Sequence, residues 1–294
     1  MRKLVLIILF LAACSSELDK KIEKAEALME KGRFREAAAV LESLEEENPT
    51  PKVYYLLGLY NVRTKDLARV EAYFDLALAG DSGYKARVID AYTQLGREYS
   101  ASSQGDLATR SFEKVLELSP DADLGEEFYT MGEQYYEQED LEKAIRTYEK
   151  GLLSAPDSRR AIRARRHIVR SYHDLGYKSD ALKHCEQFLE IRRDQDLLYE
   201  KGTLAYELAV QSFEEDSLAG CMAYLKKVIE AGQPVPLQDD AHFLLGELYM
   251  KWQDYERAKK NFEAVLRLNP YGGSQLVKDA QDRLRVIEEQ ERGG

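Results

Sequence analysis

Three arginines and a histidine recur at helical spacing in the middle of the chain, at Arg163, Arg166, Arg170 and His173. Steps of three and four residues place side chains on one face of an α-helix. A guanidinium group presents a planar fork of N–H donors that matches a carboxylate, so several together form a candidate carboxylate-binding surface. This basic cluster contrasts with the chain as a whole, whose net charge is −11.

Motifs for catalysis or metal binding are not found in the sequence. It contains no G-x-S-x-G, HExxH, P-loop or CxxC pattern. His173 precedes Asp174 directly, but neighbours along a helix do not face each other. His167 and His173 are six residues apart, which is not the spacing of metal ligands on one helix. We therefore expect surface or groove histidines, no enzymatic activity, and no cofactor or metal.

A repeated pattern indicates the elements that position the arginines. Three segments share a Gly, a Tyr three residues later, and then Ala, an aromatic residue and Pro at fixed distances. This resembles the tetratricopeptide repeat (TPR), whose pattern is L-G-x-x-Y…A-x-x-x-F…P. The matching residues are Gly96, Tyr99, Ala108, Phe112 and Pro120, then Gly132, Tyr135, Ala144, Tyr148 and Pro156, then Gly246, Tyr249, Ala258, Phe262 and Pro270.

The resemblance implies an all-α fold, a right-handed superhelical α-solenoid of about seven TPR-like helix pairs plus a C-terminal capping helix. In each pair, Gly or Ala lets helices A and B cross closely, the aromatic residue fills the space between neighbouring units, and Pro ends helix B. Ser274 is expected to cap the last helix, over 274–291. The expected units are 19–50, 51–84, 89–122, 125–158, 162–195, 202–235 and 239–271.

The TPR resemblance also predicts a binding groove. Positions 2, 5, 9 and 12 of helix A line the concave groove in TPR proteins, and in the fifth unit these are the three arginines and His173. Tyr and Arg are common anchors at binding surfaces. The alternative is internal pairing of the arginines with acids such as Glu126 and Glu133. The candidate peptide-binding residues are Arg163, Arg166, Arg170, His173, Tyr129, Tyr136, Tyr206, Phe213 and Arg97, and the same count gives Val210 and Phe243.

The N-terminus resembles a bacterial lipoprotein signal. Arg2 and Lys3 precede eight apolar residues, Leu4 to Leu11, whereas a membrane-spanning helix needs about 20. Small residues then lead to Cys14, as in a lipobox. The resemblance implies removal of residues 1–13, lipid on Cys14 and a short tether over 14–18. The alternative is an ordinary secretory signal with a chance cysteine.

Composition limits the classes of partner. An acidic surface repels phosphate backbones, so nucleic-acid binding is disfavoured. No segment beyond the signal approaches the 18 or so apolar residues of a membrane span. Cys185 and Cys221 fall at apolar repeat positions and are expected as buried free thiols, although a disulfide between them stays an alternative.

Together the resemblances imply a membrane-anchored scaffold or adaptor that binds a protein or peptide segment in the cell envelope. The chain is also similar to the barrel-assembly lipoprotein BamD family, through the lipobox, repeat units longer than 34 residues and the C-terminal segment 274–280. Since no Asp follows Cys14, the outer membrane is favoured over the inner one, with the protein facing the periplasm. The alternative is a periplasmic component associated with a solute transporter or small-ligand uptake.

Overall fold

The structure of the protein is a computed structural model that describes residues 17–293. The predicted signal segment 1–13 and the predicted lipid site Cys14 lie outside these residues. The described part contains α-helices, one short 3-10 helix at Ser82–Tyr84 and no strand, so the predicted all-α class of paired helices is confirmed. None of its helices combines the length and apolar character needed to cross a membrane.

Seven helix pairs precede one final helix in this part of the chain. Helix α1 covers 17–30, and the final helix α15 covers Gln275–Gly293. The side chain of Ser274 accepts the N–H of Val277 at 3.2 Å, which confirms its predicted capping role. The helices between are α2 (Phe34–Glu47), α3 (Pro51–Thr64), α4 (Leu67–Gly80), α5 (Lys85–Ala101), α6 (Gly105–Leu118), α7 (Glu127–Glu137), α8 (Leu141–Ser154), α9 (Arg160–Asp174), α10 (Lys178–Ile191), α11 (Gln195–Glu214), α12 (Leu218–Ala231), α13 (Pro236–Lys251) and α14 (Tyr255–Leu268).

The chain divides into two compact units between Gln134 and Tyr135, within α7. In the first unit, one apolar core joins α1, α2 and α3, and α4 packs on α3 as α6 packs on α5. In the second unit, each helix from α8 to α15 contacts its successor, and α9, α11 and α13 also contact one another in turn. The second unit therefore presents a row of A helices beside a row of B helices.

A glycine of helix A and an aromatic ring of helix B hold the two helices of a pair together. A Cβ atom added to Gly246 would lie 2.6 Å from Cε1 of Phe262, and similar overlaps would occur between Gly96 and Phe112 and between Gly58 and Phe74. The three rings are completely buried. The expected role of this aromatic position is thus extended: the ring packs on the glycine of its own pair.

The turns between helices A and B share one backbone feature in all seven pairs. One residue per turn has a positive φ, and only two of the seven are glycines, Gly32 and Gly176. In three pairs an Asp then caps helix B by accepting a backbone N–H, at Asp66, Asp140 and Asp254. The other positive-φ turn residues are Lys65, Ser103, Glu139, Asp216 and Gln253. Because a left-handed residue followed by a cap reverses the chain in a short space, the helices of each pair are antiparallel.

We predict that the effect of Gly246→Ala reverses its sign when Phe262 is truncated. Phe262→Ala should cost about 3–5 kcal/mol through loss of a buried ring. Gly246→Ala should cost about 1–3 kcal/mol in the native background because the added Cβ meets the ring. In the Phe262→Ala background it should instead stabilise by about 0.5–1 kcal/mol, since Ala is the better helix former. Urea unfolding of the native protein, the two single variants and the double variant measures these free energies. If the two substitutions had additive effects, the contact between Gly246 and the Phe262 ring would be contradicted.

Candidate functional site

Arg163, Arg166, Arg170 and His173 form a stripe along α9, which we call the arginine stripe. It faces acidic residues at the beginning of α11. Arg166 donates to Asp194 through Nη2 at 2.7 Å and through Nε at 3.2 Å, and its other terminal nitrogen contacts Asp196. One third of the Arg166 side chain is exposed, whereas Asp194 is nearly covered. The pair is therefore a bidentate, partly buried ion pair, which is a strong geometry for guanidinium and carboxylate.

Asp194 also begins helix α11. Its Oδ1 accepts the backbone N–H groups of Asp196 at 3.0 Å and Leu197 at 3.1 Å. Burial alone would raise the pKa of Asp194, but the hydrogen bonds from Arg166 and from these two N–H groups outweigh it, so the pKa lies below its usual value. The carboxylate thus serves as helix cap and ion-pair partner at once.

Two further pairs continue along the same two helices. Arg170 Nε donates to Glu200 at 2.9 Å. Seven residues further along α11, Glu207 lies 3.1 Å from Nε2 of His173 and also accepts from Lys178, the first residue of α10, at 2.7 Å. Burial would raise the pKa of Glu207, but its bonds to Lys178 and His173 lower it. Internal pairing, the alternative considered from the sequence, is thus what the structure shows for Arg166, Arg170 and His173, with partners at the beginning of α11 or within it.

The other predicted groove residues differ in their exposure and in the partners that they already contact. Tyr129 is 1% exposed, so the structure removes it from the predicted surface and places it in the packing of the first unit. Arg97, also in the first unit, pairs with Glu127 at 2.9 Å. In the second unit, the ring of Tyr136 stacks on His167 at 4.0 Å, and Arg163 is exposed.

An apolar pocket lies between the A helices α11 and α13. Its volume is about 400 Å³. Of the predicted groove residues, Phe213 is 57% exposed at the rim and Val210 and Phe243 also line it. The remaining lining residues are Ala209, Cys221, Leu244, Leu248 and Glu247, and the last is paired with Arg283 of α15 at 2.5 Å. The pocket therefore presents apolar surface with its one acid already neutralised.

One helical turn before the pocket, Tyr206 of α11 and Asp240 of α13 lie near each other. Both are half-buried. Burial raises the pKa of Asp240, and the neighbouring charge of Asp239 raises it further. Among the described residues no cation pairs with the Asp240 carboxylate. A basic group of a ligand would therefore find an uncompensated acid beside the pocket.

Histidine and cysteine side chains are parts of the packing. His167 Nδ1 and the Tyr148 hydroxyl are 2.7 Å apart, and burial lowers the pKa of His184, which stacks on Tyr172. Cys185 and Cys221 are free buried thiols, and burial raises the pKa of Cys185 to about 12. No group of three His, Cys, Asp or Glu side chains in residues 17–293 is arranged to hold a metal ion.

Sequence reasoning missed the acids that complete this surface. Asp194, Glu200 and Glu207 recur on α11 about one repeat after their basic partners on α9, so an acidic stripe following a basic one was the available signal. No sequence pattern identifies Asp240, because the absence of a cation beside its carboxylate depends on side chains that are distant in sequence.

We predict that Asp194→Asn lowers the free energy of unfolding by an amount that depends on pH. The amide can still cap α11 but cannot form the ion pair with Arg166, so unfolding free energy should fall by about 1–2 kcal/mol at pH 7. Since the pKa of Asp194 is lowered on folding, its contribution is present above the unfolded pKa of about 3.9 and disappears as the pH falls through the folded value. Denaturant unfolding should show a smaller difference in unfolding free energy between the native protein and the variant at pH 3 than at pH 7. An equal difference at both pH values would contradict the ion pair.

Comparisons with known proteins agree with the paired helices. One tetratricopeptide repeat model matches residues 22–85, and a second matches residues 89–122 and 239–271. A search of curated proteins found no match. Among solved structures, a tetratricopeptide repeat protein from Parabacteroides merdae is 20% identical, with a TM-score of 0.37, over 93% of this chain and 99% of its own.

Two other solved structures are similar at the same level. The C-terminal part of a TPR protein from Cytophaga hutchinsonii is 15% identical over 90% of this chain and 99% of its own, with a TM-score of 0.37. YrrB, described as a TPR protein with an unusual peptide-binding site, is 19% identical over 68% of this chain and 96% of its own, with a TM-score of 0.38. Residues 22–85, 89–122 and 239–271 thus match tetratricopeptide repeats, and the structure forms paired helices over these segments.

Proposed function

We propose that this chain is a membrane-anchored TPR adaptor that holds a segment of a partner protein against helices α11 and α13. The observation that carries the proposal is the apolar pocket of about 400 Å³, on which the predicted groove residues Val210, Phe213 and Phe243 converge. Anchoring a partner through one or two buried apolar side chains is the usual source of affinity at protein interfaces.

The surroundings of the pocket indicate the chemistry of the segment. An aromatic or aliphatic side chain would fill the apolar space lined by Phe213, Phe243 and Leu248. A Lys or Arg about one turn away along a helical segment would reach Asp240, whose carboxylate has no cation beside it. The expected ligand is therefore an amphipathic segment with a basic residue near its apolar anchor.

The ion pairs on α9 explain why the pocket, and not the arginine stripe, is the proposed anchor point. A carboxylate ligand at Arg166 would have to displace Asp194, which accepts two backbone N–H groups as well as the guanidinium. Breaking a partly buried charge pair costs more than an exposed surface contact returns. The pairs instead fix the spacing of α9 and α11 and so help to shape the neighbouring groove.

The N-terminal resemblance supports the membrane part of the proposal. Lipid on Cys14 would place the protein on a membrane facing the periplasm, with the outer membrane favoured. A narrower form of the proposal is a role in barrel assembly, as implied by the resemblance to the BamD family. Crosslinking in the native envelope followed by mass spectrometry tests the narrower form, which recovery of partners without any barrel-assembly subunit would contradict.

We predict that a photo-crosslinking amino acid at Val210 captures a defined partner in cells. The adduct should disappear when Phe213→Asp is added, because a charge at the rim disfavours an apolar anchor. The matched control carries the crosslinker at Lys183, an exposed residue of α10. Phe213 is mostly exposed, so its substitution should leave the melting temperature nearly unchanged.

Equal adducts from the Val210 and Lys183 positions would contradict a groove-bound partner. The volume of the pocket also lies within the range of small-molecule sites, about 300–1,000 Å³. A thermal-shift increase with a panel of metabolites, abolished by Phe213→Asp and accompanied by no protein adduct, would assign the pocket to the small-ligand alternative.

We predict that Cys14→Ser releases the protein from the membrane fraction. The change removes the sulfur to which lipid would be attached, while an export signal would still function. Fractionation should include a high-salt wash, because salt screens electrostatic contacts with the membrane surface. Persistence of Cys14→Ser in the washed membrane pellet at the native level would contradict the lipid anchor.

A further inference from the structure

A cavity of about 460 Å³ lies in the first unit, where helix α2 begins and helix α3 ends. Arg33 directly precedes α2, Arg35 lies in its first turn, and Arg63 lies in the last turn of α3. The one acid that lines the cavity is Glu36, also in the first turn of α2. These four residues are exposed, so the cavity is open to solvent. The other lining residues are Gly32, Phe34, Tyr60 and Thr64. We name it the basic cavity.

The three guanidinium groups of the basic cavity differ in their partners. Arg33 donates to both oxygens of Glu36, through Nε at 2.7 Å and through Nη2 at 2.5 Å. The guanidinium of Arg63 lies 5.4 Å from the centre of the Phe34 ring, in a cation–π contact. In the part of the chain that the structure describes, no carboxylate pairs with Arg35 or Arg63. Two guanidinium groups can therefore bind an oxyanion without first giving up an ion pair.

The charges around the cavity do not cancel this excess. The hydrogen bond from Arg33 lowers the pKa of Glu36, and the positive charge of Lys24 on α1 lowers it further. Glu42, the next acid of α2, is six residues and about 9 Å further along the helix. The other nearby charges are balanced in sign, and they are Glu30 and Lys31 of the α1–α2 turn, Asp66 with Arg69 at 3.6 Å, and Glu98 with Lys65 at 3.8 Å. Three arginines and one glutamate thus give the lining residues a net charge of +2, in a protein whose net charge is −11.

The repeat does not require basic residues at the beginning of helix B. At the position directly before that helix, three other pairs have an Asp that caps it, whereas α2 has Arg33. Two residues later, three other pairs have an acid, whereas α2 has Arg35. The acids of the other pairs are Asp66, Asp140 and Asp254 at the first position, and Asp106, Glu142 and Glu256 at the second. Because positive charge in the first turn of a helix is unfavourable, the two arginines cost stability that a bound anion would restore.

We propose that the basic cavity binds a soluble phosphate monoester. A guanidinium group presents a fork of N–H donors to phosphate oxygens, and Arg35 and Arg63 have such forks available. A phosphate ester carries a charge of about −1.5 to −2 at pH 7, which matches the net charge of the lining residues with a single group. Two carboxylates would supply the same charge, but they would repel each other within one cavity.

The size and the rings of the cavity indicate a small organic ester. Its volume lies within the range of small-molecule sites, about 300–1,000 Å³. Phe34 and Tyr60 are half-buried, so part of each ring is left as apolar surface for the organic part of the ligand. The hydroxyl of Tyr60 bonds to no other group among the described residues, and it can donate to a phosphate oxygen.

The test is calorimetric titration of the full chain carrying Cys14→Ser, so that no lipid anchor contributes, with phenyl phosphate as the probe. Binding of succinate, a dicarboxylate, should be at least about tenfold weaker at equal ionic strength. Binding of phenyl phosphate should also weaken by about tenfold between pH 7.5 and pH 5, because the second pKa of a phosphate ester is about 6. The lining residues include no histidine, and the pKa of Glu36 lies below its ordinary value, so the ligand is the group that titrates.

Two double variants separate the cavity from general charge effects. Arg35→Gln with Arg63→Gln should weaken binding of phenyl phosphate by at least about tenfold. The matched control, Lys183→Gln with Lys251→Gln, removes two positive charges at exposed residues of the second unit and should leave binding within about twofold. Without ligand, Arg35→Gln alone should leave the melting temperature unchanged or slightly higher, since it removes a positive charge from the first turn of α2.

Equal losses in both double variants, equal binding of succinate, or no binding of phenyl phosphate would overturn the proposal. Binding of a hexaglutamate peptide without binding of phenyl phosphate would assign the cavity to an acidic protein segment instead. Flotation with vesicles containing phosphatidic acid, again without binding of phenyl phosphate, would assign it to a lipid headgroup and overturn the soluble ligand. Because Val210 and Phe213 are unchanged in these variants, capture of a partner in the groove is tested separately.

Discussion

The contact between a glycine of helix A and a buried aromatic ring of helix B determines the geometry of this protein. A Cβ on Gly246 would overlap Phe262, and Gly96 and Gly58 have the same relation to their rings. Because the ring fills the space that a side chain would take, the two helices approach closely and the pair becomes a compact element. Neighbouring pairs then stack through the remaining apolar faces, as repeat proteins require.

Stacking of this kind brings consecutive A helices side by side and so creates the candidate site. In the second unit α9, α11 and α13 follow one another. Between α9 and α11 the facing side chains are charged and pair with each other, as Arg166 does with Asp194. Between α11 and α13 the side chains around the pocket are apolar apart from Glu247, and a pocket remains. The same arrangement of helices thus gives an ion-paired interface between α9 and α11 and an apolar pocket between α11 and α13.

The fold was predictable because its signal is local and repeated. Gly96, Ala108 and Phe112 recur at fixed spacing in other pairs, and each copy reports the same packing. The site was only partly predictable. Helical position predicts that Val210 and Phe213 share one face of α11, and both line the pocket, but exposure depends on neighbours that are distant in sequence. Tyr129 occupies a nominal groove position and is nevertheless buried, and the partner of Arg166 is 28 residues away.

Residues outside the repeat pattern carry the most information about function. A buried ring or a small residue in a helix crossing is explained by packing alone. Phe213 is not, because an exposed aromatic ring contributes little to stacking. Asp240 is similar, since a half-buried acid without a cation is unfavourable in the free protein. Such costs are relieved when a ligand covers the apolar surface and supplies the opposite charge, and for that reason the proposed function rests on these two residues.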